Sequence, residues 1–254
     1  MNAFKVFAPH GLALVGGLGA LWLGGRCPTG KCHLWEAVAF GIAYSAVFFA
    51  LVGFLPLSRY LRARPSANWR GVARNADVAI ILGFGYELTS TGQMQPGVAN
   101  QALLEWTLVH TTARTVLVQE GVWVAACPVE ATTCDVGERA LRRIHPHDPT
   151  HYVNTLATAV MAMDFMVQLG VKTAVLVAHD QQLARAAADF ERARQKKPAW
   201  RDLRFIIPDL PAMPYVSRSV HLQTRNAGFW RLAELFIARP RDSLTQIPKL
   251  QSGT

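Results

Sequence analysis

The chain has 254 residues, 51% hydrophobic and only 17% charged, with a formal net charge of +9 at pH 7. A charged share this far below the usual figure of about 25% argues against a wholly soluble chain. The basic excess does not make it a nucleic-acid binder, because much of it falls beside an apolar segment rather than on a folded face.

Between Val6 and Gly25 the only ionisable side chain is His10, and between Ala37 and Leu57 there is no charged side chain. Each stretch is about 20 residues, enough to cross a hydrocarbon core roughly 30 Å thick as a helix. No A-x-A cleavage site follows the first stretch, and Arg26 precedes Cys27 where a lipoprotein signal needs a small residue. A transmembrane hairpin over 1–57 is therefore predicted, with spans at about 6–25 and 37–57. Glycines such as Gly16 and Gly17 give the first span a small-residue face for the second to approach.

Residues 58–75 read as a basic linker on the membrane surface. Arg59, Arg62, Arg64, Arg70 and Arg74 outweigh Arg26 and Lys31 in the short loop between the spans. The positive-inside rule then puts the large domain on the cytoplasmic side of the membrane. The hairpin separates two cysteine pairs into different compartments. On this topology Cys27 and Cys32 are the disulfide candidate, and Cys127 and Cys134 are free thiols. A bridge in the second pair would reverse the sides. Cys27, Cys32 and His33 do not match C-x-x-C-H spacing and lack a fourth ligand, so no metal is expected there.

The soluble part, 76–240, alternates strands and helices. Apolar runs at Asp77–Leu82, Thr115–Val118, Thr173–Val177 and Arg204–Ile207 read as strands buried on both faces. Helical spacing spans Pro96–His110, Tyr152–Leu169, Gln181–Gln195 and Phe229–Ile237, and a further helix is predicted over Gly137–Ile144. The pattern predicts a three-layer, Rossmann-like α/β domain with a parallel sheet. Residues 241–254 form a C-terminal tail. Ligands of such sheets bind at the carboxyl ends of the strands. That rule directs attention to Gly83–Tyr86, Gln119–Gly121 and Ala178–Gln182.

A strand ending in Leu82-Gly83-Phe84-Gly85, a helix beginning Asn154-Thr155, and a strand leading to a helix start with His179 and Arg185 resemble the YdcF/SanA/ElyC family of bacterial envelope proteins. The resemblance covers about residues 76–240, and the two spans are similar to the ElyC branch. It implies a membrane-anchored protein linked to envelope integrity. Asp77, Gly83, Gly85, Asn154, Thr155, Arg185 and Ala186 stand at matching positions. Three departures accompany the match. Gln119-Glu120-Gly121 stands where the family has Ser-Gly-Gly, and Gln182 stands where it has a histidine. No acidic residue stands out as the family's among His145, His147, Asp148 and His151.

Each candidate has a chemical and a plain reading. Gly83 and Gly85 offer backbone N–H groups to a phosphate, or simply make a tight turn. Asn154 and Thr155 contact a ligand, or cap a helix. Arg185 clamps an anion, or sits on a solvated face. His179 is the candidate proton carrier and Glu120 the candidate acid, with Glu138 behind it. The cluster from His145 to His151 reads as a surface loop. No nucleophile elbow, Walker loop, dinucleotide fingerprint or H-E-x-x-H motif is present. The expected function is binding of a small anionic ligand, nucleotide-like or lipid-phosphate, at the strand edge. The competing expectation is a non-catalytic scaffold docked on a larger membrane protein complex. The expected partners are the lipid bilayer and such a complex.

Overall fold

Val78–Ile81 forms the central strand β1, and every residue in it is buried. Its alternate side chains face opposite layers, as the two-residue period of a strand requires. Ala79 and Ile81 join one apolar core, and Val78 and Ile80 join the other.

The computed structural model describes residues 63–144 and 154–233. Both expected spans, the Cys27–Cys32 pair, the His145–His151 cluster and the 241–254 tail lie outside them. Among the described residues no helix is long and apolar enough to cross a membrane. Those up to Trp230 belong to one compact unit.

A short helix α1 (Trp69–Ala73) lies within the predicted linker and precedes β1. A small hairpin, β2 (Tyr86–Leu88) and β3 (Met94–Pro96), follows β1 and leads into α2 (Val98–His110). Then come β4 (Thr115–Val118), α3 (Glu120–Trp123), β5 (Thr133–Val136) and β6 (Arg139–Arg143). The chain continues as α4 (Thr155–Gln168), β7 (Thr173–Val177), α5 (Leu183–Arg194), β8 (Arg204–Ile206) and α6 (Ala227–Ala233). The six-stranded sheet runs β5-β6-β4-β1-β7-β8, parallel except for edge strand β5. Ala99, Leu103 and Trp106 of α2 pack on one face. Leu156, Val160, Met163 and Met166 of α4, with Ala186 and Phe190 of α5, pack on the other. These are the three layers expected of a Rossmann-like α/β domain.

Two expectations are corrected. The helix predicted over Gly137–Ile144 is instead the second strand of a hairpin. Gly137 takes φ +62°, which suits a tight turn. Arg139–Arg143 then pairs antiparallel with β5 and parallel with β4. Leu141 is buried in the sheet. The Arg139 guanidinium donates to the carbonyls of Thr107, Leu108 and Thr111 at 3.1, 2.7 and 2.6 Å, so it caps the last turn of α2. Sheet pairing and this cap override the local helical pattern. Second, Cys127 and Cys134 are not free thiols but form a disulfide, with Cα atoms 5.9 Å apart. The turns after α3 and the hairpin bring the pair within bridging distance.

Candidate functional site

The parallel strands fill the sheet outward from β1, first through β4 and β6 and then, on the other side, through β7 and β8. The order in which strands are added reverses between β1 and β7, which run parallel. In an open α/β sheet that switch point leaves a crevice at the strand carboxyl ends.

The β1 side is the turn Gly83-Phe84-Gly85. Gly85 sits at φ +66°, and a Cβ there would lie 2.4 Å from Thr224 Oγ1 and 2.7 Å from Ser219 Oγ. It needs glycine for both conformation and space. A Cβ on Gly83 would meet only ordinary contacts, the nearest at 3.6 Å. Of the two glycines proposed to cradle an anion, Gly83 has its amide taken by a protein partner, as has Phe84 between them. Gly83 N–H donates to Gln119 Oε1 at 2.9 Å, and Phe84 N–H donates to Asn100 Oδ1 at 2.8 Å. Asn100 Nδ2 donates in turn to the Gly85 carbonyl at 2.6 Å. Gly121 allows this approach, since a Cβ there would stand 2.9 Å from Asn100 Nδ2.

The β7 side is Ala178-His179-Asp180-Gln181-Gln182. His179 is fully buried. Its ring stacks on Phe84, with centroids 3.7 Å apart and planes at 18°, and lies 4.7 Å from the ring of Tyr215. Nδ1 is 3.1 Å from Asp180 Oδ1 and 3.3 Å from the Gln181 amide. Nε2 has no hydrogen-bond partner. Burial pushes the imidazole down to about 4, against the pull of Asp180 and of the Pro214 and Met213 backbone. The ring is therefore neutral near pH 7. Nδ1 accepts the Gln181 N–H, which places the proton of the neutral ring on Nε2, and Asp180 stands close enough to pair with the ring once it is protonated.

Asp180 is held on both oxygens. Oδ1 accepts from the Met213 amide at 3.2 Å and Oδ2 from Gln181 Nε2 at 2.9 Å. Trp230 closes the group. Its Nε1–H donates to the Gln181 carbonyl at 3.2 Å, its ring lies 4.9 Å from Phe84, and the Arg185 guanidinium lies 5.1 Å from its ring centroid. The glycine turn, His179 and Arg185 thus meet around Phe84 and Trp230.

The other candidates stand apart. Glu120 opens α3 just after β4, and the strands that precede it and His179 are about 10 Å apart across β1. Its carboxylate makes a two-pronged ion pair with Arg143, which also donates to the Val129 carbonyl at 2.6 Å. Asn154 is the N-cap of α4, its Oδ1 accepting from the Ala157 amide at 2.8 Å, and Thr155 is the first helical residue. Asp77 lies at the opposite end of the sheet. Despite desolvation, hydrogen bonds from the Lys172 amide and from the Thr173 hydroxyl and amide hold its carboxyl below the ordinary value. It ties the start of β1 to the start of β7. Among the described residues no group of three or more His, Cys, Asp or Glu is placed to hold a metal ion.

Sequence reasoning passed over Asn100, Gln119, Asp180, Tyr215 and Trp230. Asn100 carried a signal, a polar residue within the apolar spacing of α2. Tyr215 and Trp230 carried none, because their role comes from where the chain after β8 runs.

Comparison of the chain with family models, with curated proteins and with solved structures returned no match.

Proposed function

We propose that this protein is a membrane-anchored, envelope-associated protein of the YdcF/SanA/ElyC type, which binds a small anionic ligand at the carboxyl edge of β1 and β7. A nucleotide-like group and a lipid phosphate are the two ligand chemistries in view. The observation that carries the reading is His179. A buried polar atom without a partner costs about 1–3 kcal/mol, and Nε2 is such an atom at the topological switch point. Asp180 lies 3.1 Å from Nδ1, and the Arg185 guanidinium lies over the ring of Trp230 in the same group. In this reading His179 moves a proton and Arg185 holds the anion. Glu120, paired with Arg143, holds the β4 and β6 ends together. A membrane tether raises the local concentration of a lipid-linked ligand at such an edge.

The Cys127–Cys134 bridge supports a domain on the oxidising side of the membrane, the reverse of the side the arginine count suggested. Long translocated domains escape the positive-inside rule, so the two observations do not conflict.

A second reading, a scaffold subunit, draws on a different observation. The Gly83 and Phe84 amides are satisfied internally and Phe84 fills the crevice. Native mass spectrometry of the detergent-purified protein separates the two. A co-purified anion of defined mass, lost in Arg185→Ala, supports the ligand reading. An empty domain carrying a partner protein sinks it.

A further inference from the structure

Among the described residues after β8 there is no further strand, yet the chain returns over the strand ends. From Met213 to Trp230 it is tied to the sheet edge by isolated hydrogen bonds. These are Met213 N–H to Asp180 at 3.2 Å, Val220 N–H to the Tyr86 carbonyl at 3.0 Å, and the Trp230 indole N–H to the Gln181 carbonyl at 3.2 Å. Met213, Val216 and Trp230 also join the apolar core on that side of the sheet, and ring contacts add to these ties. Tyr215 lies 5.7 Å from Phe84 and 4.7 Å from His179, and Trp230 lies 4.9 Å from Phe84. The segment is braced within itself by Ser219, which accepts from Thr224 Oγ1 at 2.7 Å and from the His221 amide at 3.1 Å. It is braced again by Arg225, which donates to the Ser219 carbonyl at 2.7 Å. This segment therefore has its own internal bonds but no ladder joining it to the sheet.

We propose that residues 213–230 form a strap that plugs the protein's own switch-point crevice, so that the His179–Asp180 pair becomes accessible only when Tyr215 and Trp230 lift away together. Three observations converge on it. The crevice that this topology leaves at the strand ends is filled by side chains of the same chain. The buried histidine beneath it keeps its Nε2 unpartnered, which a purely structural core histidine would not favour. The covering rings come from a stretch that lacks sheet pairing, the kind of element that opens below global unfolding. The strap rests on the proposed ligand reading only for what the opened crevice receives.

The test is native-state hydrogen exchange on the full-length protein in detergent, read by mass spectrometry. It is paired with carbethoxylation of His179 by diethylpyrocarbonate, with the exposed His110 as internal reference. Amides of 213–230 are expected to exchange at least 100-fold faster than those of β1 and β7. His179 modification should follow the strap's rate, not the core's. Trp230→Ala, with Tyr215→Ala as a second variant should the first not fold, is expected to raise both rates at least 10-fold and leave α4 unchanged. Exchange of the strap only together with β1 and β7 in the unsubstituted protein overturns the proposal, as does His179 modification that ignores the strap. The two readings fail separately. A strap that opens over a protein without a co-purified anion keeps the gate and loses the ligand. A bound anion under a strap that never opens ahead of the core keeps the ligand and loses the gate.

Discussion

The carboxamide of Asn100 holds both sides of Phe84, accepting from its amide at 2.8 Å and donating at 2.6 Å to the carbonyl of Gly85. Phe84 in turn stacks on His179. One buried side chain on α2 thus sets the turn that positions the ring against the β7 end.

Asn100→Ala leaves a buried donor and a buried acceptor unpaired. Each costs about 1–3 kcal/mol, so a loss of about 2–6 kcal/mol is expected. Asn100→Asp keeps the acceptor for Phe84 but opposes the Gly85 carbonyl, and is expected to fare no better. A shift of the urea midpoint at unchanged slope is the measurement. An unchanged midpoint would show that the turn does not depend on this residue.

Stability should fall in acid through His179. Its folded value, about 4, lies below the ordinary 6.5. Between these values the unfolded chain binds the extra proton, so stability is fully present above pH 6.5 and declines as pH drops toward 4. The loss is about 3 kcal/mol at most. His221, also lowered by burial, adds to it with the same sign. Asp77, held below 3.8, acts only in a more acidic window. His179→Phe keeps a stacking ring on Phe84 and should flatten most of the slope between pH 6.5 and 4. A slope that survives the change would assign it elsewhere.

Gly85 and Gly92 both have positive φ, but their surroundings differ. At Gly92 an added Cβ meets nothing within 4 Å, while at Gly85 it meets Thr224 and Ser219. Gly92→Ala should cost about 1–2 kcal/mol from backbone strain alone. Gly85→Ala should cost about 3 kcal/mol or more, since a clash adds to the strain. Equal thermal shifts in the two variants would contradict this.

The Cys127–Cys134 bridge closes a loop with a sequence separation of 7. Chain entropy assigns such a closure about 2.5 kcal/mol. The double variant Cys127→Ser, Cys134→Ser should lose that much, and dithiothreitol should bring the native protein to the same midpoint. Thiol labelling of intact cells bears on the side of the membrane. Labelling of this pair without prior reduction would contradict an oxidising compartment.

By itself the sequence determined the layers and most of the strands. Val78–Ile81, Thr115–Val118 and Thr173–Val177 are short apolar runs between turn signals, a pattern that means a strand buried on both faces wherever it occurs. Asn154 was legible as a cap because capping is local, reaching three residues on to Ala157. It also pointed to the strand carboxyl ends, since that follows from the fold class. The tertiary structure decided everything that depends on distant partners. Arg139–Arg143 is a strand because β4 and β5 are there to pair with it, against its own helical pattern. Cys127 bonds Cys134 because the chain turns at Pro128–Ala131 between them. Glu120 is committed to Arg143, and His179 is packed between Phe84 and Tyr215 beside Asp180. Local pattern encodes which face a residue turns to the core. Which side chains meet there is set by the path of the whole chain.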